Sequence, residues 1–390
     1  MDKTRKVFVE WVKTAVNGQT VKSLPSDIDY LQLYNLCVTQ SMTVAIFRAV
    51  GGIKEQLPPK FYTALKKSAE RHLVLDVRQN YGDEEVLKTL EENGIKHIPL
   101  KGYELKKLYP STDMRFTSDC DILVEIDNVK TFISTMEKIG LKLVRNDVHH
   151  VIMSFPESQT LYEFHKTLFV GRLEKYFGVG FEKATLKQGY SYRYEYSKED
   201  FYLTVLAHSA YHFGHSAGVG IRHLTDLYLM IKNYNLDQNY LSLELEKCAL
   251  KDFNKEFIKL VDYWFNNAIP DDFTIKLADT VLESTVLENS KKKPETDVAS
   301  MAKTQDEATK TSKIRTIFRV LFPKKDFMQV AFPFLKKAGW LTPIFYPVRW
   351  IKVIFLRPKS IKKLKKISNS NDQTVKEIQN IREKLGLENV

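Results

Sequence analysis

Residues Ile95–Val124 read IKHIPLKGYELKKLYPSTDMRFTSDCDILV, and the fold turns on this stretch. Its apolar start predicts a buried strand, Ile95 to Leu100. Lys101-Gly102 then makes a turn, and a short helix follows from about Tyr103 to Leu108. A polar loop carries Arg115 and leads to a second strand, Asp119-Cys120-Asp121-Ile122-Leu123-Val124. Strand side chains alternate faces, so Asp119 and Asp121 point one way and Cys120 the other. Two carboxylates this close repel, and their pKa values rise unless a cation sits between them. Mg²⁺, which takes one or two carboxylates together with substrate phosphates, suits such a pair. A bare Asp-x-Asp also occurs as a solvated strand end, so the chemistry rests on the surrounding residues.

Those residues are Leu100-Lys101-Gly102, Tyr109-Pro110, Arg115 and Ser118-Asp119-Cys120-Asp121-Ile122-Leu123-Val124. Their order resembles the uncharacterised nucleotidyltransferase family of the DNA-polymerase-beta-like superfamily. The resemblance implies an α/β (α+β) fold, with a mixed-sheet nucleotidyltransferase core flanked by N-terminal and C-terminal helical regions. It also covers the strand Thr160–His165, where Glu163 falls at the superfamily's third carboxylate and Glu163-x-His165 follows the family pattern. On its own, Glu163 reads as a solvated strand residue between aromatics. The wider superfamily places Gly-Gly or Gly-Ser where this chain has Gly102-Tyr103. The bulk of Tyr103 there bears on how phosphate approaches the turn.

The length of 390 residues permits a sizeable core and two or three subdomains. A hydrophobic share of 43% and a charged share of 27% are those of a soluble globular protein. The three cysteines, Cys37, Cys120 and Cys248, are widely spaced, which argues against a disulfide framework and for a reducing compartment. The N-terminal MDKTRKVFVEWVKTAV lacks a signal peptide's apolar run, and no stretch of about 20 apolar residues is present to span a bilayer. These features predict a cytoplasmic protein. The net charge of +11 is concentrated: Lys313 to Ile367 holds fifteen Lys/Arg and one acid, Asp326, leaving the remaining 44 basic and 47 acidic residues at −3. A nucleic-acid partner therefore does not follow from overall basicity.

Residues 1–92 read as an N-terminal helical region with no convergent polar set. Phe8, Trp11, Val12 and Ala15 fall at helical spacing, Asp27 or Asp29 suits a helix cap, and Pro58-Pro59 opens a long helix that Gly94 ends. Residues 93–196 form the expected nucleotidyltransferase core. After the Asp-x-Asp strand, Asp127 is placed to cap a helix ending at Gly140. Strands are expected at Leu141–Val144, His149–Phe155, Thr160–His165 and Tyr190–Tyr196. Residues 197–280 read as a helical region. His208, His212 and His215 lie at i, i+4 and i+7 on one helix face, where a zinc site is possible but packed or hydrogen-bonded histidines are the plainer reading. Arg222 and Asp226, at i and i+4, can simply pair. The family has a similar His, His, Arg, Asp series, and the resemblance implies that His208, His212, Arg222 and Asp226 line a nucleotide or acceptor cleft.

Residues 281–312 read as a polar linker or a polar helix. Residues 313–390 form a basic, aromatic C-terminal segment. Trp340, Phe345, Tyr346, Trp350 and Phe355 interleave there with Lys336, Lys337, Arg349, Lys352 and Arg357. Three readings stay open for it: packing onto the body, peripheral contact with an anionic membrane, or contact with another polyanion.

The resemblance implies Mg²⁺-dependent transfer of a nucleoside monophosphate from an NTP, ATP among them, to an acceptor hydroxyl. Two ions would be held by Asp119, Asp121 and Glu163 as catalytic and metal residues. Lys101, Gly102, Tyr103, Arg115, Ser118 and His165 would meet the nucleotide. The alternative is a catalytically silent fold that binds a partner through its basic C-terminal segment.

Overall fold

The computed structural model describes the chain except residues 116, 118, 157–159, 216–218, 285–292, 302–308, 357–363 and 389–390. The described residues divide into two compact units. One comprises residues 1–209 and 219–286, and the other residues 210–218 and 287–390.

The first unit begins with α1 (Lys3–Val16), α2 (Tyr30–Thr39), α3 (Thr43–Ala49) and the long α4 (Pro59–Glu92). Asp29, not Asp27, caps α2: its carboxylate accepts from the amides of Leu31 and Gln32. Pro59 is the first residue of α4, where its missing N–H costs nothing. Next come β1 (His97–Pro99), the single-turn α5 (Gly102–Leu105), β2 (Asp119–Val124) and α6 (Val129–Glu137). Asn128 rather than Asp127 caps α6, accepting from the amides of Lys130 and Thr131. Then follow β3 (Lys142–Asn146), β4 (His150–Ser154), β5 (Leu161–His165), α7 (Arg172–Phe177), β6 (Ala184–Leu186) and β7 (Tyr194–Tyr196). The helices α8 (Lys198–His215), α9 (Ile221–Asn233), α10 (Gln238–Lys247), α11 (Lys251–Phe265) and α12 (Asp272–Glu283) complete the order, with the last residues of α8 belonging to the second unit.

The sheet runs β1-β2-β5-β4-β3. Only the central pair, β2 and β5, is parallel, so the sheet is mixed. Its two faces differ in chemistry because each strand alternates. One face presents Cys120, Ile122 and Val124 from β2, Tyr162 and Phe164 from β5, and Val151 and Met153 from β4. Val86, Leu87 and Leu90 of α4 and Phe132 and Met136 of α6 cover them in one core. This face alone explains why the strands and both helices assemble: removing these large side chains from water is the dominant favourable term. The other face carries Asp119, Asp121, Glu163, His165 and His150. At its β1 side, Leu123 packs with Ile98 and Leu100 against Leu168, Phe181 and residues of the β6–β7 pair. Of that pair, β7 is the C-terminal part of the strand expected at Tyr190–Tyr196, and β6, Ala-Thr-Leu without an aromatic run, carries no such pattern.

The second unit contains α13 (Lys293–Ala299), α14 (Thr309–Leu321), α15 (Lys325–Ala331), α16 (Thr342–Leu356) and a last helix, Asp372–Lys384. The helix α13 lies within the stretch read as a polar linker, of which residues 285–292 and 302–308 fall outside the described residues. It buries Val298 and Ala299 with Ile367 and Val375. Trp350 of α16 donates to the Leu321 carbonyl at 2.8 Å, and Phe322 meets the Trp350 and Tyr346 rings edge-on. Arg382 of the last helix donates to the carbonyls of Gly214 and Leu387. Among the described residues, no helix is long and apolar enough to cross a membrane.

Candidate active site

Strand register builds the site. Across the parallel β2–β5 pair, Asp119 lies opposite Leu161 and Asp121 opposite Glu163. The two catalytic candidates Asp121 and Glu163 are therefore direct neighbours on the polar face, with Asp119 one pleat away on the same strand. The Lys101 ammonium stands 3.2 Å from Asp121 Oδ2, and His165 Nε2 is 2.7 Å from Asp121 Oδ1. Burial pushes the Asp121 carboxyl up, but Lys101 and the His165 hydrogen bond outweigh it, holding the group well below the usual carboxylate range. Asp119 goes the other way. Burial and the Asp121 charge raise it, against Lys101 and Arg222. Glu163 is likewise raised, by burial first and then by Asp121 and Asp119. Three carboxylates on one face, two of them reluctant to ionise, are a donor set that an added cation would relieve.

The turn before this face is strained. Lys101 has φ +38°, a left-handed backbone that a non-glycine residue adopts at a cost of about 1–3 kcal/mol. The Leu100 amide donates to the Asp121 carbonyl at 2.9 Å and the Leu105 amide to the Lys101 carbonyl at 2.8 Å, tying the turn to β2 and α5. Gly102 is needed for close approach: a Cβ there would lie 2.6 Å from Thr117 Cγ2 and 3.0 Å from Arg115 Nη1. Arg115 is itself locked, donating from Nε and Nη2 to the two oxygens of Asp226 at 2.8 Å each. Tyr109 donates to the same carboxylate at 2.8 Å. Asp226 thus serves β2's approach loop from α9, beyond the local i, i+4 pairing with Arg222 that its spacing suggests. Arg222 acts electrostatically on both Asp119 and Asp226.

Tyr103 half-buries its ring under cations. Lys107 Nζ lies 4.4 Å and the Arg193 guanidinium 5.2 Å from its centroid. His208 stacks its ring against His223, 6.5 Å between centroids. His212 makes an edge contact with Tyr211 within the second unit, where His215 stacks on Tyr211 and meets the Tyr211 carbonyl at 3.0 Å. Ser118 lies outside the described residues.

Two features escaped the sequence reading. One is a buried polar seam between α4, in the region read as having no convergent polar set, and Lys106, the residue after α5. Lys106 approaches Asp83 at 3.7 Å and Asp76 at 4.0 Å, and donates to Asn80, all on α4. Burial raises both aspartates, and Lys106 opposes it. Thr117 donates to Gln79 of α4 at 3.1 Å. The i, i+4, i+7 spacing of Asp76, Asn80 and Asp83 was the available signal. The other feature is His150 on β4, directly opposite His165 on β5. Among the described residues, His150, Glu163 and His165 form a group whose ligand atoms all lie within 4.8 Å of one another.

A mixed sheet with a parallel central strand pair, a carboxylate-bearing polar face and flanking helices makes this a nucleotidyltransferase-like α+β protein. Residues 26–266 match the model of a family described as uncharacterised nucleotidyltransferase, and the chain belongs to that family. Membership supports a transferase that carries out nucleotidyl transfer. No curated protein and no solved structure matches the chain.

Proposed function

We propose that the protein transfers a nucleoside monophosphate from an NTP to an acceptor hydroxyl, with divalent cations held by Asp119, Asp121 and Glu163. The observation that carries this reading is the register of β2 against β5, which puts all three carboxylates on one polar face beside Lys101. A bound Mg²⁺ would lower the pKa of the attacking hydroxyl and offset charge on the departing pyrophosphate. The chain's own residues supply the rest. Lys101, on its strained turn, brings an ammonium to the rim of the carboxylate face and can shift from Asp121 to phosphate oxygens. Asp226 and Tyr109 hold the Arg115 guanidinium rigid, fixing the loop that leads into Asp119. His165 orients the Asp121 carboxylate through Nε2. Arg222 contributes a second positive field at Asp119.

The test is incubation with each α-phosphate-labelled NTP, a divalent cation and cell extract as acceptor pool. Asp119→Asn and Asp121→Asn should each cut label transfer by about 10²–10³-fold, the scale for groups that act in the transition state, while melting stays cooperative. Undiminished transfer in both variants would sink the assignment. Mg²⁺-dependent NTP binding with no transfer to any pool would favour the catalytically silent alternative.

The basic segment has a specific feature that favours an anionic membrane as its partner in an otherwise cytoplasmic protein. Ile314 and Phe318 on α14, Trp340, and Ile344, Val348 and Ile351 on α16 are exposed, Trp340 by 77%. Each set recurs at helical spacing, and the same segment carries Lys313, Arg315, Arg319, Lys337 and Arg349. Exposed apolar stripes next to cations suit an interface of acyl chains and anionic headgroups. Phosphatidylserine vesicles should co-sediment the full chain, and Trp340→Ser/Phe318→Ser should reduce this severalfold. Equal sedimentation with neutral vesicles would rule out a role for the anionic headgroups, and none with either would rule the membrane out.

A further inference from the structure

The polar face holds two kinds of ligand, and only one suits Mg²⁺. At its β2 edge the donors are oxygens, Asp119 and Asp121. Toward β4 they change. His150 on β4 and His165 on β5 are directly paired across the antiparallel ladder, and Glu163 sits two residues before His165 on the same face. One ligand atom from each of the three lies within 4.8 Å of the others. The two imidazole rings meet edge-on with centroids 4.6 Å apart. His165 Nε2 is also 4.0 Å from Glu163 Oε2 and 2.7 Å from Asp121 Oδ1. Two ligands bonded to one ion at about 2.0–2.2 Å lie at most about 4.4 Å apart, so the three side chains need only draw together slightly to share one.

The surroundings favour coordination over packing. His165 is only 7% exposed, and its Nδ1 has no partner among the described residues. A buried imidazole nitrogen without a partner carries a desolvation cost that a ligand would remove. His150 turns Nδ1 toward Asp147, whose Oδ1 lies 3.6 Å away and accepts the His150 and His149 amides at 2.8 and 3.0 Å. A carboxylate behind the non-coordinating nitrogen is the usual outer partner of a metal-ligating histidine.

We propose that His150, Glu163 and His165 form a transition-metal site for an ion of the Mn²⁺-to-Zn²⁺ series, distinct from the all-oxygen position at Asp119 and Asp121. Two imidazoles and a carboxylate are the donor chemistry of such ions, whereas Mg²⁺ selects oxygen in a near-ideal octahedron. Glu163, between the two positions, would be shared. The inference concerns metal binding alone, and it stands or falls independently of nucleotidyl transfer.

The experiment uses the untagged full chain, stripped with chelator and titrated with Co²⁺ while its visible ligand-field band is followed. The result expected is saturable Co²⁺ binding that Zn²⁺ displaces and a large excess of Mg²⁺ does not. His150→Gln should weaken it by about 10–100-fold or more, and His149→Gln, one residue away, should leave it unchanged. Pulsed electron paramagnetic resonance of Mn²⁺ bound to the wild-type chain should show imidazole ¹⁴N coupling, a readout that does not depend on how well any variant folds. Displacement of Co²⁺ by Mg²⁺, absence of ¹⁴N coupling, or a band that survives His150→Gln but disappears in His208→Ala would overturn the proposal.

Discussion

The two faces of the β2–β5 strand pair are built from the same ten or so residues and do opposite work. On one, Cys120, Ile122, Val124, Tyr162 and Phe164 are buried in a close-packed core beneath α4 and α6. On the other, Asp119, Asp121 and Glu163 crowd like charges together and depend on Lys101, His165 and Arg222 for relief. Period-two alternation makes this division obligatory: a register slip of one residue would put carboxylates into the core and isoleucine into the site. Burial on the first face stabilises the sheet strongly enough to tolerate the unfavourable electrostatics of the second. Stability and chemistry should therefore separate cleanly by face.

The largest effect that would break this comparison comes from the core side. Phe164→Ala removes a fully buried ring that meets Phe132 edge-on at 5.0 Å. It should lower stability by about 3–5 kcal/mol in chemical denaturation, with transfer per folded molecule preserved. A loss of transfer that exceeds the loss of folded protein would show that the faces are not separable. A smaller effect is expected at the rim. Gly102→Ala must displace Thr117 and Arg115, costing about 1–3 kcal/mol as overpacking does. Unlike Phe164→Ala, it should also slow transfer, because Arg115 and the strained Lys101 turn move with it. An unchanged rate in Gly102→Ala would mean the turn is scaffold and the carboxylate face works without it.

A good part of this was legible from residues alone. The Asp-x-Asp strand, the Glu163 strand, the Lys101-Gly102 turn and the long Pro59 helix each carry a local signal: alternation, a turn dipeptide, a helix start. The sharing of one face by Asp119 and Asp121 follows from strand geometry without any tertiary information. What stayed hidden depends on which strand lies beside which. His150 reads as one half of a His149-His150 pair at the start of a strand, and only the β4–β5 pairing sets it against His165. The partner of Asp226 is likewise set by folding. Its i, i+4 neighbour Arg222 is visible in sequence, but the guanidinium that takes both of its oxygens comes from Arg115, 111 residues earlier.

The helix histidines make the same point in reverse. His208, His212 and His215 share one helix face at i, i+4 and i+7, yet His208 stacks on His223 whereas His212 and His215 both meet Tyr211. The pair His150 and His165, fifteen residues apart with no periodic relation, converges on one carboxylate. The sequence by itself determined most elements of the core, though not β6 or α13, and the shared face of the carboxylates on β2, because those follow from the backbone periods of helix and strand. Only the tertiary structure decided the sheet order, and with it the ligands that meet at Glu163, the arginine that Asp226 holds and the side chains that fill the space left by Gly102. Contacts between distant segments are fixed by the packing of whole elements, and no local spacing encodes them.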